Sequence, residues 1–248
     1  MMNRLWKYQA LLFICFVLIS AALPAETGEE VLRRIDKTMM PASYEAYRKI
    51  IEEYPDGKKK EFQVYLIKKD QDKTAMLFLS PASEKGRSTL RLGDNMWLYI
   101  PNVGKPVRIT SLQSVTGGVF NNSDIMQVDY STEYSVADME LTPEGYLLSL
   151  KAKSKTVAYD QLKMWATKSG IITKIECYSA SGMLIKTIEF KDIKDFGNGI
   201  IRPAVMETYS PLYKGYRSSM IFTEIKRREF KDEVFTLNYM SRIEALRK

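Results

Sequence analysis

Short elements between residues 75 and 109 carry Met76, Phe78, Leu90, Leu92, Trp97, Tyr99, Val107 and Ile109. Soft and aromatic groups like these form no bonds with a substrate. Their chemistry is to displace water from something apolar, a gain of about 25 cal/mol for each Å² buried. Met96-Trp97-Leu98-Tyr99-Ile100 is apolar at all five positions, whereas a strand half-exposed to water alternates apolar and polar. Both faces of that stretch therefore need cover.

Groups suited to bond-making are scarce. The 248-residue chain has no histidine, which excludes Ser-His-Asp and Cys-His sites and removes the commonest metal ligand. No Gly-x-Ser-x-Gly elbow, phosphate-cradling Gly-rich loop or Cys/His metal set occurs. Asp195-Phe196-Gly197 reads as a turn between strands, and Asp70-Gln71-Asp72 is too short for a calcium loop. Glu52 and Glu53 are adjacent carboxylates among 30 acidic residues and single out no glycosidase site. The expectation is a protein that is not an enzyme and takes no cofactor or metal.

The elements that position the apolar groups begin after an export segment. Arg4 and Lys7 precede an apolar run from Ala10 to Leu23, followed by small residues. That order is the pattern of a signal peptide over 1–25, cleaved after Ala22 or Ala25, and the run is short of the ~20 residues a membrane span needs. Cys15 lies within the run behind bulky Phe13 and Ile14, which argues against a lipidation site. Losing Arg4 and Lys7 lowers the net charge from +7 to +5, and the remaining charges are scattered. No basic block interleaved with aromatics marks a nucleic-acid face. Cys177 is then the one cysteine left, so the fold must rest on its core without an internal disulfide.

Thr27 and Glu30 have capping-box spacing at the head of a helix with Leu32, Ile35 and Met39 on one stripe, stopped by Pro41. The period then changes to two. Pro55-Asp56-Gly57 marks a hairpin whose second arm puts Phe62, Val64 and Leu66 on one face. Roughly a dozen short strands follow, the last read over Phe235–Lys248, with no linker between them. The reading is a mainly β chain in one domain over 26–248, built on a single long curved antiparallel sheet. Residues 110–128 break the rhythm. They are rich in Ser, Thr, Gly and Asn yet hold Leu112, Val115, Val119, Phe120, Ile125 and Met126. A loop so apolar, with one or two helical turns, must lie over something apolar.

A curved sheet cannot fill its concave side without a second layer. The expected result is an apolar concavity lined by Phe62, Val64, Leu66, Met76, Phe78, Leu90, Trp97, Tyr99 and Ile109, under a lid carrying Leu112, Val115, Phe120, Ile125 and Met126. On strand 96–100, Trp97 and Tyr99 are assigned to the concavity with Leu90 and Ile109, and Met96, Leu98 and Ile100 to the opposite face. A slip of one residue exchanges the two sets.

The block "LSPASEKGRSTLRLGDNMWLYIPNVGKPVRI" with the following "SLQSVTGGVFNNSDI" resembles the outer-membrane lipoprotein-sorting protein family related to the periplasmic carrier LolA. The resemblance is strongest over residues 40–130 and continues as strand pattern to about residue 240. It implies an unclosed β-barrel around a hydrophobic cavity with helices as a lid. The implied function is a soluble periplasmic carrier for acyl chains of lipoproteins or related lipids. The implied partners are an inner-membrane exporter and an outer-membrane acceptor. Carriers of this family tie barrel to lid through an arginine, for which Arg87, Arg91 and Arg108 are candidates here. The same residues admit an alternative: a non-catalytic envelope scaffold or adaptor, its concavity filled by its own side chains, docking an exporter or membrane partner.

Overall fold

The computed structural model describes residues 26–247, so the export segment expected over 1–25 lies outside the described residues. Helix α1 (Gly28–Met39) starts at the expected capping box. The Glu30 amide donates to Thr27 Oγ at 3.3 Å and the Thr27 amide to Glu30 Oε2 at 2.8 Å. Val31, Leu32, Ile35 and Met39 are buried along one face of α1.

The strands are β1 (Tyr44–Glu53), β2 (Lys59–Lys69), β3 (Lys73–Ser80), β4 (Ser88–Leu92), β5 (Asn95–Tyr99), β6 (Pro106–Ile109), β7 (Tyr134–Leu141), β8 (Gly145–Ala152), β9 (Gln161–Thr167), β10 (Ile172–Tyr178), β11 (Leu184–Asp195), β12 (Ile201–Tyr209) and β13 (Arg217–Arg227). They form one antiparallel sheet in the order β6-β5-β4-β3-β2-β1-β13-β12-β11-β10-β9-β8-β7. Nearly every neighbour in space is a neighbour in sequence, and the long-range join is β1 with β13. Strands β6 and β7, consecutive in the chain, sit at the two opposite edges and leave the barrel unclosed. The segment joining them must cross from one edge to the other. Residues 110–133 do so through the concave side, with two short turns, α2 (Asn122–Ile125) and α3 (Tyr130–Glu133).

Two apolar clusters result. On the concave side, Phe62, Val64, Leu66, Met76 and Phe78 meet α1 and Phe120, Ile125 and Met126 of the crossing segment. On the convex side, Tyr65, Ile67, Ala75, Leu77 and Leu90 meet Phe230, Val234, Phe235, Met240 and Ile243. The chain over Phe235–Lys248, expected as a strand, instead contains a 3₁₀ helix (Leu237–Leu246). Its Met240 carbonyl accepts from Ser88 Oγ at 2.9 Å, which fastens it across β4. That covering segment is why β2 to β5 are apolar on both faces.

Candidate functional site

The site is built from the inward face of the sheet and the segment that plugs it. Strand β1 alternates strictly, sending Tyr44, Ala46, Arg48, Ile50 and Glu52 inward. Four inward cations meet the plug. Arg48 Nη1 donates to the Ile125 carbonyl at 2.9 Å while Nη2 donates to Tyr44 Oη at 3.1 Å. Its guanidinium lies 4.4 Å from the Phe222 ring, and burial pushes its pKa down. Arg91 on β4 donates to the Met126 carbonyl at 2.9 Å and pairs with Glu133. Lys186 on β11 reaches Asp124 Oδ2 at 2.8 Å and the Val119 carbonyl. Lys68 on β2 lies 2.9 Å from Asp129 Oδ1.

A polar knot shapes the plug itself. Asn121 and Asp124 form a capping box on α2: the Asp124 amide donates to Asn121 Oδ1 at 3.0 Å, and the Asn121 amide to Asp124 Oδ2 at 2.9 Å. Tyr159 Oη donates to Asp124 Oδ1 at 2.9 Å and accepts from Asn121 Nδ2 at 2.8 Å. Helix α1 joins in through Asp36, whose carboxylate accepts the amides of Tyr130 at 2.8 Å and Ser131 at 2.9 Å. Burial raises the Asp36 carboxyl to about 6. Burial likewise raises Glu52, Asp129 and Glu133. Glu52 accepts from Thr116 Oγ1 at 2.7 Å and from Ser218, and Gly118 packs against its carboxylate. With the plug in place, the space left between it and the wall beside Asp124, Glu133, Tyr159, Leu162, Cys177 and Ile188 is about 30 Å³. Engineered cavities that take benzene are ~150 Å³, so an acyl chain does not fit in this space while the plug is in place.

The residues assigned to the concavity from sequence are divided between the two faces. Phe62, Val64, Leu66, Met76 and Phe78 lie together on the concave side, with Ile109 packed against them. Leu90, Trp97 and Tyr99 lie with the convex cluster. Strand β5 is thus turned over relative to the expectation: Met96 faces inward opposite Ile109, and Trp97 faces outward between Leu90 and Arg108. Of the lid residues, Phe120, Ile125 and Met126 are fully buried against the inner wall and Val115 packs at its margin. Leu112 is 61% exposed and takes no part in that packing. Of the arginine candidates, Arg91 ties wall to plug. Arg87 reaches the Val115 carbonyl only at 3.4 Å, and Arg108 lies outside against Trp97 and Asn95. Arg48 escaped sequence reasoning, although a cation in phase with Tyr44, Ala46 and Ile50 is the signal that could have found it. Glu52 points inward and Glu53 does not, as adjacent strand positions must. Among the described residues, no three metal-type side chains converge and no helix is long and apolar enough to cross a membrane.

Comparison with known proteins finds solved structures of the same overall fold. A family model described as an uncharacterized protein covers residues 70–242. A LolA superfamily protein from Nitrosomonas europaea shares 26% identity and superposes with a TM-score of 0.77, over 86% of this chain and 99% of that one. The chain belongs to the family of that model and has the LolA-like fold. Two further solved structures share the LolA-like fold. A putative outer membrane lipoprotein-sorting protein domain from Vibrio parahaemolyticus has 17% identity and a TM-score of 0.73, over 86% of this chain and 98% of that one. A DUF1329 family protein from Desulfovibrio piger has 19% identity and a TM-score of 0.73, over 86% and 97%. No curated protein matches the chain at a significant level.

Proposed function

We propose that this LolA-like chain is a non-catalytic carrier that works in the periplasm after losing residues 1–25. In this reading its β domain, 26–248, takes the acyl chains of lipoproteins or related lipids and helps sort them to the outer membrane. An exporter in the inner membrane and an acceptor in the outer membrane would load and unload it. The observation that carries the reading is that residues 110–133 fill the concavity without joining the sheet. They are held by hydrogen bonds and ion pairs to the wall that can break and re-form as a set.

The magnitudes favour exchange of plug for cargo. Val119, Phe120, Ile125, Met126 and Val128 are buried in the plug. At about 1.5–3 kcal/mol each, they stabilise the plugged state by on the order of 10 kcal/mol. A 16-carbon chain gains ~0.8 kcal/mol per buried methylene, again on the order of 10 kcal/mol. Near-balance lets cargo enter without being trapped. Phe62, Val64, Leu66, Met76, Phe78, Met96 and Ile109 are the proposed acyl contacts once the plug has moved.

The small space under the plug favours a second reading, a scaffold or adaptor whose interior is permanently filled by its own side chains. One experiment separates the two. Protein stripped of lipid is titrated with a fluorescent fatty acyl probe, and protein as purified is extracted with solvent for mass spectrometry. Saturable uptake near one probe per chain supports the carrier. No uptake and no extracted lipid support the scaffold.

A further inference from the structure

The plug and the wall carry opposite charge, and that opposition defines the class of cargo. Residues 110–133 contain Asp124, Asp129 and Glu133 and no lysine or arginine, in a chain of net charge +7. The inward positions that meet them carry Arg48, Lys68, Arg91 and Lys186, all with less than a tenth of their surface exposed. Against these four cations, the buried carboxylate that the strands contribute is Glu52. Three of the cations pair with plug carboxylates: Lys68 with Asp129, Arg91 with Glu133 and Lys186 with Asp124. The fourth, Arg48, donates to the Ile125 carbonyl of the plug and leaves its Nε without an acceptor.

When the plug leaves, the wall loses these partners together. Arg202 of β12 and Asp36 of α1 are buried on the same inner side, so the emptied concavity, walled by apolar side chains, holds five cations against the two carboxylates Glu52 and Asp36 and a net positive potential. A neutral acyl chain would cover the apolar wall and leave the cations without counter-charge, which is costly in a low-dielectric site. We propose that the cargo is an anionic amphiphile, whose phosphate or carboxylate head replaces Asp124, Asp129 and Glu133 on the wall cations while its acyl chain replaces the plug's apolar side chains. This rests on the carrier reading and narrows it to lipids of net negative head charge.

The test compares palmitoyl lysophosphatidylglycerol, palmitoyl lysophosphatidylcholine and chainless glycerol phosphate. Each displaces a bound fluorescent acyl probe from lipid-stripped protein, below the micelle concentration of the two lipids. The anionic lipid is expected to bind at least tenfold tighter than the choline lipid at low salt, with the preference shrinking at 0.5 M salt. Glycerol phosphate is expected to displace nothing at the same concentrations. In the paired variants Lys186→Gln/Asp124→Asn and Arg91→Gln/Glu133→Gln, wall and plug charge are removed together so that the plug still packs. Each is expected to cut the preference severalfold while still binding the acyl probe. Equal binding of the two lipids by the wild-type chain would overturn the anionic cargo and leave the carrier standing. Displacement by glycerol phosphate as strong as by the lipid would overturn the amphiphile in favour of a plain anion site. Failure of every lipid and of the acyl probe would bring down the carrier reading and this inference with it.

Discussion

Lys186 on β11 and Asp124 in the plug face each other at 2.8 Å with both side chains almost wholly enclosed. Tyr159 and the α2 capping box hold the carboxylate from the other side. A buried ion pair of this kind adds little over a well-packed apolar pair. Losing one member, however, leaves an uncompensated charge inside the protein.

That asymmetry gives the first prediction. Lys186→Met alone is expected to destabilise the chain by about 3–5 kcal/mol, and Lys186→Met with Asp124→Leu by much less. Urea unfolding of the two single variants and the double variant measures the coupling. Additive effects would mean that the pair does not act as a unit.

Arg48 is the second hold on the plug, and Cys177 can report on it. Cys177 is buried beneath the plug, where burial raises its thiol pKa well above the ordinary value. Arg48→Met strips the Ile125 carbonyl of its donor, at about 1–3 kcal/mol for a buried group left unpaired. Maleimide labelling of the Cys177 peptide under native conditions should then run roughly tenfold faster or more. An unchanged rate would show that Arg48 does not hold the plug shut.

Gly118 sets how closely the plug approaches β1. A Cβ there would lie 1.5 Å from Glu52 Oε2, and that carboxylate is already held by Thr116 and Ser218. Gly118→Ala is expected to cost about 1–3 kcal/mol through overpacking and to speed acyl-probe uptake, because the strain falls on the plugged state alone. Slower uptake would contradict this.

Stability should rise as pH falls from 7 to 5. Asp36 holds its proton up to about pH 6 in the folded chain against an ordinary value of 3.8. Between those values the folded state binds a proton that the unfolded state has released, so acidification favours folding. Asp129 stands beside Asp36 and is raised in the same direction, as are Glu52 and Glu133. Exposed carboxylates held low, such as Glu26, Asp56 and Asp232, act in the opposite sense only below their ordinary values of 3.8 to 4.5. Urea midpoints for the wild-type chain should therefore increase from pH 7 to pH 5, with a shallower slope in Asp36→Asn. A wild-type midpoint that falls over that range would contradict the assignment.

Local signals were legible in the sequence. The Thr27–Glu30 capping box, the Pro55-Asp56-Gly57 turn and the two strands around that turn each depend on residues a few positions apart, and each formed as read. The apolar content of 110–128 correctly marked a segment lying over a core, because a solvated loop has no use for Phe120, Ile125 and Met126. What failed were choices settled by distant parts of the chain. Strand β5 is apolar on both faces, so its orientation depends on what covers each side. The cover for Trp97 and Tyr99 is a 3₁₀ helix some 140 residues further on, which no local signal in strand β5 reveals. Arg48 looked like one of 37 basic residues until the alternation of β1 placed it inside.

The central claim is that cargo takes the place of residues 110–133. Hydrogen exchange followed by mass spectrometry tests it directly, because plug amides are tied to partners outside the plug: Val119 to Ser218 Oγ at 2.8 Å and Tyr130 to Asp36 Oδ1 at 2.8 Å. With lysophosphatidylglycerol at saturation, peptides spanning 110–133 should exchange faster than in lipid-stripped protein while β1 and β13 keep their protection. Stoichiometric lipid binding with the plug peptides unchanged or slower would place the lipid elsewhere and contradict the displacement mechanism.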